Sequence, residues 1–418
     1  MEVSEQLQFE GCNFMRQRLL YSILSGRPVV ISKIRPSDDD PGIKGWDFET
    51  KLLSLLEKVT NGTKIVINKT VPTIEKVKNL KKCQQYRILI TIIVLLGETY
   101  FMETLILGTE IQFTPGMING GSFTFDCGTQ RCISFFLEPL LILAPFCKYP
   151  LNIKLQGVTN SPNELSVDAV RATWIPVFNR FVFSEENLEI KVEARGLKPD
   201  GGGSVLLSAP IVTSLRPVQF ENPGKIYKIR GVAYVAKVSP SIAQRMIEAA
   251  KKCLYGYIAD VYITVDQRKG AAGGKSPGYG LFLTAETTEG VVFHGEAISR
   301  PKNEEGNPLI PEEVGNMAGE ALLDEIYRGG CLDSSAQLLA ASFMTLGDKD
   351  ISKCLFGPLT TYTIHGLRNL QKFLGITFKI EEWWKCRKSD SVTRNLGADE
   401  KALMTCMGIG FRNLNKIE

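Results

Sequence analysis

The sequence predicts an α/β fold: three repeated helix-on-sheet modules forming a large domain, with a smaller inserted α/β domain. Three observations carry this expectation. A helix–strand–helix–strand order recurs three times along the chain. A stretch of different patterning, 220–313, separates the second occurrence from the third. The chain has 418 residues, 44% hydrophobic and 22% charged, which suffices for two or three cores and excludes a disordered or collagen-like polymer.

The first copy opens with a helical pattern over 16–24. Gly26-Arg27-Pro28 then turns the chain into a β-branched strand at 29–34. After a polar loop (36–42), Leu52, Leu53, Leu55 and Leu56 between Glu49, Lys51 and Glu57 predict an amphipathic helix over 48–59. Asn61-Gly62 marks the next turn, and 64–67 reads as a strand. The second copy reads as helix 132–143, strand 150–155, loop 157–163, helix 167–181 and strand 188–195. The third reads as helix 335–345, strand 351–356, helix 362–374 and strand 376–381.

Pro223-Gly224 opens the intervening stretch, and Asn307-Pro308 with Pro311 closes it. Inside it, strands are predicted at 231–238, 260–265 and 280–286, and a helix at 242–253. Residues 1–219 are thus assigned to modules one and two, 220–313 to the insert, and 314–418 to module three with a C-terminal tail. From 224 to 275 ten Lys and Arg face three anions, Glu248, Asp260 and Asp266. That basic half suits either phosphate contact or a solvated face balanced by the acidic stretch after it. Residues 71–107 fit neither pattern. Their removal would join Asn68-Lys69-Thr70 to Gly108-Thr109-Glu110 in a hairpin, so they read as an atypical insertion.

Bulk charge does not announce a nucleic-acid binder, since 49 Lys and Arg oppose 45 Asp and Glu. Ten cysteines without a CxxC point to reduced thiols. With two histidines, His294 and His365, no metal site is expected. The longest apolar run, 88–96, is too short to span a membrane, and the polar opening does not read as a signal peptide.

Several motifs invite chemistry. Arg195-Gly196-Leu197-Lys198-Pro199-Asp200-Gly201-Gly202-Gly203 either presents N–H groups to a phosphate or forms a tight hairpin. Gly273-Gly274-Lys275-Ser276 lacks the earlier glycine of a P-loop, because Lys269 stands there. On the helix 362–374, His365, Arg368 and Lys372 share one face, with Ile364, Leu367, Leu370 and Phe373 assigned to the other. That basic stripe suits an RNA backbone or plain solvent. Asp333 or Ser334 is placed to cap the helix after it.

Several of these motifs, taken in order, resemble the RNA 3′-terminal phosphate cyclase superfamily. They are Arg195-Gly196-x-x-Pro199-x-Gly201-Gly202-Gly203, Tyr327-Arg328-Gly329-Gly330-Cys331, and Gly357-Pro358-Leu359 before Tyr362-Thr363-Ile364. Gly11-Cys12-Asn13-Phe14-x-Arg16-Gln17-Arg18-Leu19, Ser25-Gly26-Arg27-Pro28-Val29 and Gly274-Lys275-Ser276-Pro277-Gly278 narrow the resemblance to the eukaryotic ribosome-assembly branch. It covers nearly the whole chain except 71–107. The family's enzymes use a histidine that takes AMP from ATP, and the matching position here is Tyr362. A phenol with a pKa of about 10 is a poor nucleophile for that step. The acidic residue of an Ala-Asp-Gln element matches Ala336, and the glutamate of a Glu-Gly-Gly-Gly-Gln run matches Phe9.

The resemblance therefore implies a degraded cyclase site at Tyr362, Ala336 and Phe9, and no cofactor. It implies a factor of early 18S pre-rRNA processing and 40S assembly in the nucleolus, within the small-subunit processome. The implied partners are a large ribosome-assembly GTPase, pre-rRNA and processome proteins, with no membrane. The competing reading is an active RNA 3′-phosphate cyclase or pre-rRNA endonuclease. Candidate RNA or anion contacts are Arg16, Arg18, His365, Arg368, Lys372, Arg268, Lys269 and Lys275.

Overall fold

The computed structural model describes residues 6–36, 42–43, 48–68, 108–301, 304, 306–383, 398 and 400–416. The chain divides into two compact units, 1–117 and 118–418. The expected insertion at 71–107 lies outside the described residues.

In the first unit β1 (Leu7–Glu10), α1 (Met15–Ser25), β2 (Val29–Ser32), α2 (Phe48–Val59), β3 (Lys64–Ile67) and β4 (Ile111–Thr114) follow in order. The sheet runs β1-β2-β4-β3. β1 and β2 are parallel, and the other neighbours are antiparallel. α2 buries Leu52, Leu53, Leu55, Leu56 and Val59 and leaves Glu57 and Lys58 exposed, as its periodicity requires.

The second unit starts with the same device. β5 (Gly120–Asp126), α3 (Ile133–Leu143) and β6 (Tyr149–Gly157) come first. A helix α4 follows, made of Val167–Ala169, a π-helical turn Val170–Trp174 and Ile175–Phe181. β7 (Glu189–Ala194) and β8 (Gly203–Ala209) complete a sheet of order β5-β6-β8-β7. Next comes β9 (Gln219–Phe220), and after it a different sheet. That sheet is built from β10 (Ile226–Ala236), α5 (Ser241–Leu254), β11 (Val261–Arg268), β12 (Gly278–Thr287) and β13 (Val292–Ile298), in the order β11-β10-β12-β13. α6 (Pro311–Arg328) lies along α5 and β13. Finally α7 (Gln337–Leu346), β14 (Ile351–Phe356), α8 (Thr361–Leu374), β15 (Lys379–Glu382) and β16 (Ala402–Met407) join β9 in a sheet β9-β14-β16-β15.

Three sheets thus share one plan: a parallel first pair and two antiparallel additions. This is the α/β fold of repeated modules and an insert that the sequence predicts. The unit is longer than expected, however, because each module also has a strand before its first helix and a closing strand. The insert's sheet enters after the third module's first strand, β9, and before its first helix. β9 has two residues, too few to show a period, and β5 opens on two glycines. The sequence expectation holds no helix at α6, although Pro311 stands at its first position and the Glu313 carboxylate accepts from Ile310 N at 2.9 Å.

Candidate functional site

The site begins at the N-terminus of α8. Thr360 caps the helix, its hydroxyl accepting from Thr363 N at 3.1 Å. Beneath it lies Gln337, fully buried at the start of α7. The Gln337 Oε1 accepts from Thr360 N at 3.2 Å and from Thr363 Oγ1 at 2.9 Å, while its Nε2 donates to Pro358 O at 3.1 Å. One amide therefore fixes the loop and the first turn together. Gly366 lets α8 approach α7: a methyl group there would sit 2.1 Å from Leu338 Cδ1.

Tyr362 stands in that first turn. Its phenol donates to Glu138 Oε1 at 2.5 Å, and Glu138 is a buried residue of α3. The hydroxyl is thus held by a carboxylate in addition to being a weak nucleophile. Ala336, just before Gln337, is fully buried and brings no carboxylate to the turn.

Farther along α8, Arg368 and Lys372 are exposed and His365 is half-buried. The buried face of the helix is Thr363, Gly366, Asn369, Leu370 and Phe373. This corrects the expected apolar face: Ile364 is 37% exposed, because the packing axis passes through Gly366 and Asn369.

On the other side of Ala336, Asp333 binds two partners. Its Oδ1 accepts from Ser335 N at 2.9 Å, the capping role expected. Its Oδ2 accepts from both His294 N at 2.9 Å and His294 Nδ1 at 2.7 Å. Burial works against the imidazolium, but the Asp333 carboxylate outweighs it and raises the His294 pKa to about 9. Burial likewise works against the Asp333 anion, and His294 holds that carboxyl below its usual range. His294 lines a cavity of about 650 Å³ together with Tyr234, Arg300 and Glu296, whose carboxyl burial pushes up. In the sequence His294 is one of two histidines, and nothing there marks its partner, which lies 39 residues away.

A profile of the RNA 3′-terminal phosphate cyclase family matches residues 7–75 and 90–380. The chain belongs to this family. It is 56% identical over 413 residues to the probable RNA 3′-terminal phosphate cyclase-like protein of Caenorhabditis elegans, covering 99% of each chain. It is 44% identical over 413 residues to the RNA 3′-terminal phosphate cyclase-like protein of Homo sapiens, covering 99% of this chain and 98% of that one. To the rRNA processing protein rcl1 of Schizosaccharomyces pombe it is 32% identical over 419 residues, covering 100% and 99%. The profile match omits 76–89.

The glycine motifs of this cyclase-family chain form one joint. Arg195 N donates to Ala272 O at 2.9 Å, and Lys275 N donates to Gly201 O at 2.9 Å. Ser276 Oγ donates to Asp200 Oδ2 at 3.1 Å and accepts from Asp200 N at 2.9 Å. Gly274 has φ +66°, and a methyl group there would lie 2.4 Å from Arg195 O. Several N–H groups that a phosphate would need are thus taken by protein acceptors, Gly196 N by Thr159 Oγ1 at 3.0 Å and Gly201 N by Leu197 O at 2.9 Å. Of the two alternatives, the structure favours the hairpin. Arg195 is buried against Asp168 at 2.5 Å and Asp266 at 3.0 Å, with its guanidinium 4.3 Å from the Tyr234 ring centroid.

The remaining basic candidates are scattered. Arg268 donates to Asp266 Oδ1 at 2.7 Å and so belongs to the same ionic network. Lys269 and Lys275 are exposed on that joint. In the first unit, Arg18 donates to Gly11 O at 2.7 Å and sits 4.7 Å from the Phe9 ring centroid, which makes it a clamp on the turn after β1. Phe9 is buried in β1, and Arg16 is half-buried on α1. The structure brings together Tyr362, Gln337 and Glu138. Within the second unit, Arg268, Lys269 and Lys275 stand at the joint and His365, Arg368 and Lys372 on α8. Among the described residues no cluster of three or more His, Cys, Asp or Glu is placed to hold a metal, and no helix is long and apolar enough to cross a membrane.

Proposed function

We propose that this chain is a non-cyclase ribosome-biogenesis factor. It acts in early 18S pre-rRNA processing and 40S assembly within the small-subunit processome, in the nucleolus. Its partners are pre-rRNA, processome proteins and a large ribosome-assembly GTPase. The observation that carries this reading is Tyr362. At the position matched to the cyclase nucleophile stands a phenol bound to the buried Glu138, next to a turn where Ala336 replaces the family's acid. The rRNA-processing name of the Schizosaccharomyces pombe relative supports the direction of the reading.

Two measurements test it. The purified chain incubated with ATP labelled at the α-phosphate is expected to retain no label, whereas a cyclase retains it. Affinity purification from nuclear extract is expected to recover a GTPase together with pre-rRNA. Covalent label on the protein, or recovery of neither partner, would overturn the proposal.

A further inference from the structure

The insert's sheet ends on an open edge. Its order β11-β10-β12-β13 leaves β11 paired on one side only. β10 and β11 are parallel, and in such a pair the N–H and C=O of one residue point to the same side of their strand. Asp260 O accepts from Ile229 N at 2.8 Å, and Arg268 O accepts from Lys237 N at 3.4 Å. The even-numbered residues of this stretch therefore turn toward β10, and Ile263, Val265 and Gln267 turn their N–H and C=O groups outward. None of these outward groups has a hydrogen-bond partner among the described residues.

The strand lacks the usual guards of an open edge. It runs eight residues without proline, glycine, lysine or a bulge, and Val261-Tyr262-Ile263-Thr264-Val265 is uncharged and rich in β-branched side chains. Tyr262 is 63% exposed and Val265 50%, on opposite faces, and Thr264 and Gln267 are exposed as well. β7, an edge of the second module's sheet, is guarded by contrast: its exposed side chains are Glu189, Lys191 and Glu193.

Charge narrows what can pair there. Between 224 and 275 the anions are Glu248, Asp260 and Asp266, against ten Lys and Arg. Asp260 is held by Arg230 at 2.9 and 3.0 Å, and Asp266 by Arg195 at 3.0 Å and by Arg268 at 2.7 Å. At the strand's end Lys269 follows Arg268, and Lys237 is tied to the Arg268 carbonyl. Both lysines are exposed and form no ion pair among the described residues. The edge thus offers spent anions and open cations.

We infer that the outer edge of β11 takes up an extended segment of a protein partner as an added strand, and that this segment carries acidic side chains where it passes Lys269. Main-chain bonds to Ile263, Val265 and Gln267 supply affinity, and the acidic side chains fix the register. A nucleic acid offers the charge but not the alternating N–H and C=O groups that the edge leaves unmet. The inference goes beyond the ribosomal role proposed above and does not depend on it.

The test uses the purified full chain and a displayed library of random peptides about ten residues long. Recovered peptides are expected to be rich in β-branched and acidic residues, and their binding to weaken as salt rises. Val265→Pro removes one outward N–H and no bond to β10, a change that edge strands accept. It is expected to weaken peptide binding about tenfold or more, through one lost ladder bond and the obstruction of the ring. Val265→Thr keeps the N–H and is expected to bind like the unaltered chain. Lys269→Glu is expected to weaken binding about two- to fivefold, the range of an exposed ion pair. Amide exchange at Ile263, Val265 and Gln267 is expected to be fast in the free chain and slow with peptide bound. If the proline variant fails to fold, the exchange measurement and Lys269→Glu decide. Equal binding by folded Val265→Pro, recovery of no acidic extended peptide, or outward amides already protected in the free chain overturns the inference. So does a dimer that Val265→Pro dissolves in sedimentation, because a second copy is then the occupant.

Discussion

The His294–Asp333 pair ties β13 to the turn that leads into Ala336 and Gln337, so its loss is expected to loosen the candidate site and destabilise the second unit. The size of the effect follows from linkage. The imidazole has an ordinary pKa of 6.5 when the chain is unfolded and about 9 when folded. A group whose folded pKa is raised stabilises the fold below its unfolded pKa and loses that contribution as pH rises through the folded one. The contribution is about 3 kcal/mol at pH 6 and falls to a few tenths by about pH 9.5. Asp333 describes the same interaction from its other end, so its depressed pKa adds nothing further. The perturbation is the double substitution His294→Gln with Asp333→Asn, which keeps two hydrogen-bonding side chains and removes both charges. Urea unfolding of both proteins between about pH 6 and 9.5 gives the difference curve. The unaltered chain should lose its advantage over the double variant within that window, while His294→Gln alone, leaving the buried Asp333 unpaired, should cost about 3–5 kcal/mol at pH 7. Parallel curves for the unaltered chain and the double variant would refute the argument.

Three further outcomes are expected. Tyr362→His alone should not give adenylylated protein or cyclic phosphate product, because Ala336 and the Phe9 stretch remain; product from that variant, read by thin-layer chromatography, would show a site less degraded than described. Arg368→Glu with Lys372→Glu should weaken RNA binding measured by fluorescence anisotropy while leaving the thermal midpoint unchanged, since both side chains are exposed; unchanged salt-dependent affinity would make that stripe a solvated face. Deleting 71–107 should preserve folding, because Asn68 N donates to Glu110 O at 3.0 Å and Glu110 N to Asn68 Oδ1 at 2.9 Å, closing the hairpin ahead of the deletion. The shorter connection is favoured by about 2 kcal/mol of loop-closure entropy, so the midpoint should hold or rise; an unfolded product would make the segment part of the core.

The repeated modules were legible because their long elements carry a strong period. α2, β3 and β14 fall on the expected boundaries, where Leu and β-branched residues alternate with charges. The strands that escaped were set by pairing rather than by their own text. Gln219 and Phe220 become a strand only because Lys353 and Cys354 lie alongside them. In α4 the π-helical turn at Val170–Trp174 has no sequence mark, and its Trp174 reaches Ser335 at 3.2 Å, a contact across 161 residues.

The candidate site was legible where chemistry is local and illegible where it is a meeting of distant residues. The resemblance implies a degraded site at Tyr362, Ala336 and Phe9, yet nothing in the spacing of Tyr362 announces Glu138, and the hydrogen bond between them spans 224 residues. The basic candidates were chosen by charge, and charge alone does not separate a cation in use from one that is open. Arg18 and Arg268 are spent on a turn and an ionic network, while Lys251 and Lys252, near the end of the helix expected at 242–253, are exposed. A basic residue becomes an RNA contact through what surrounds it: an absent counter-ion, an exposed ring and a face that nothing else covers. By that standard charge alone does not make the stripe on α8 an RNA contact: Arg368 and Lys372 are exposed, but His365 and Lys372 each interact elsewhere in the chain, and the charge reversal described above decides what the stripe does.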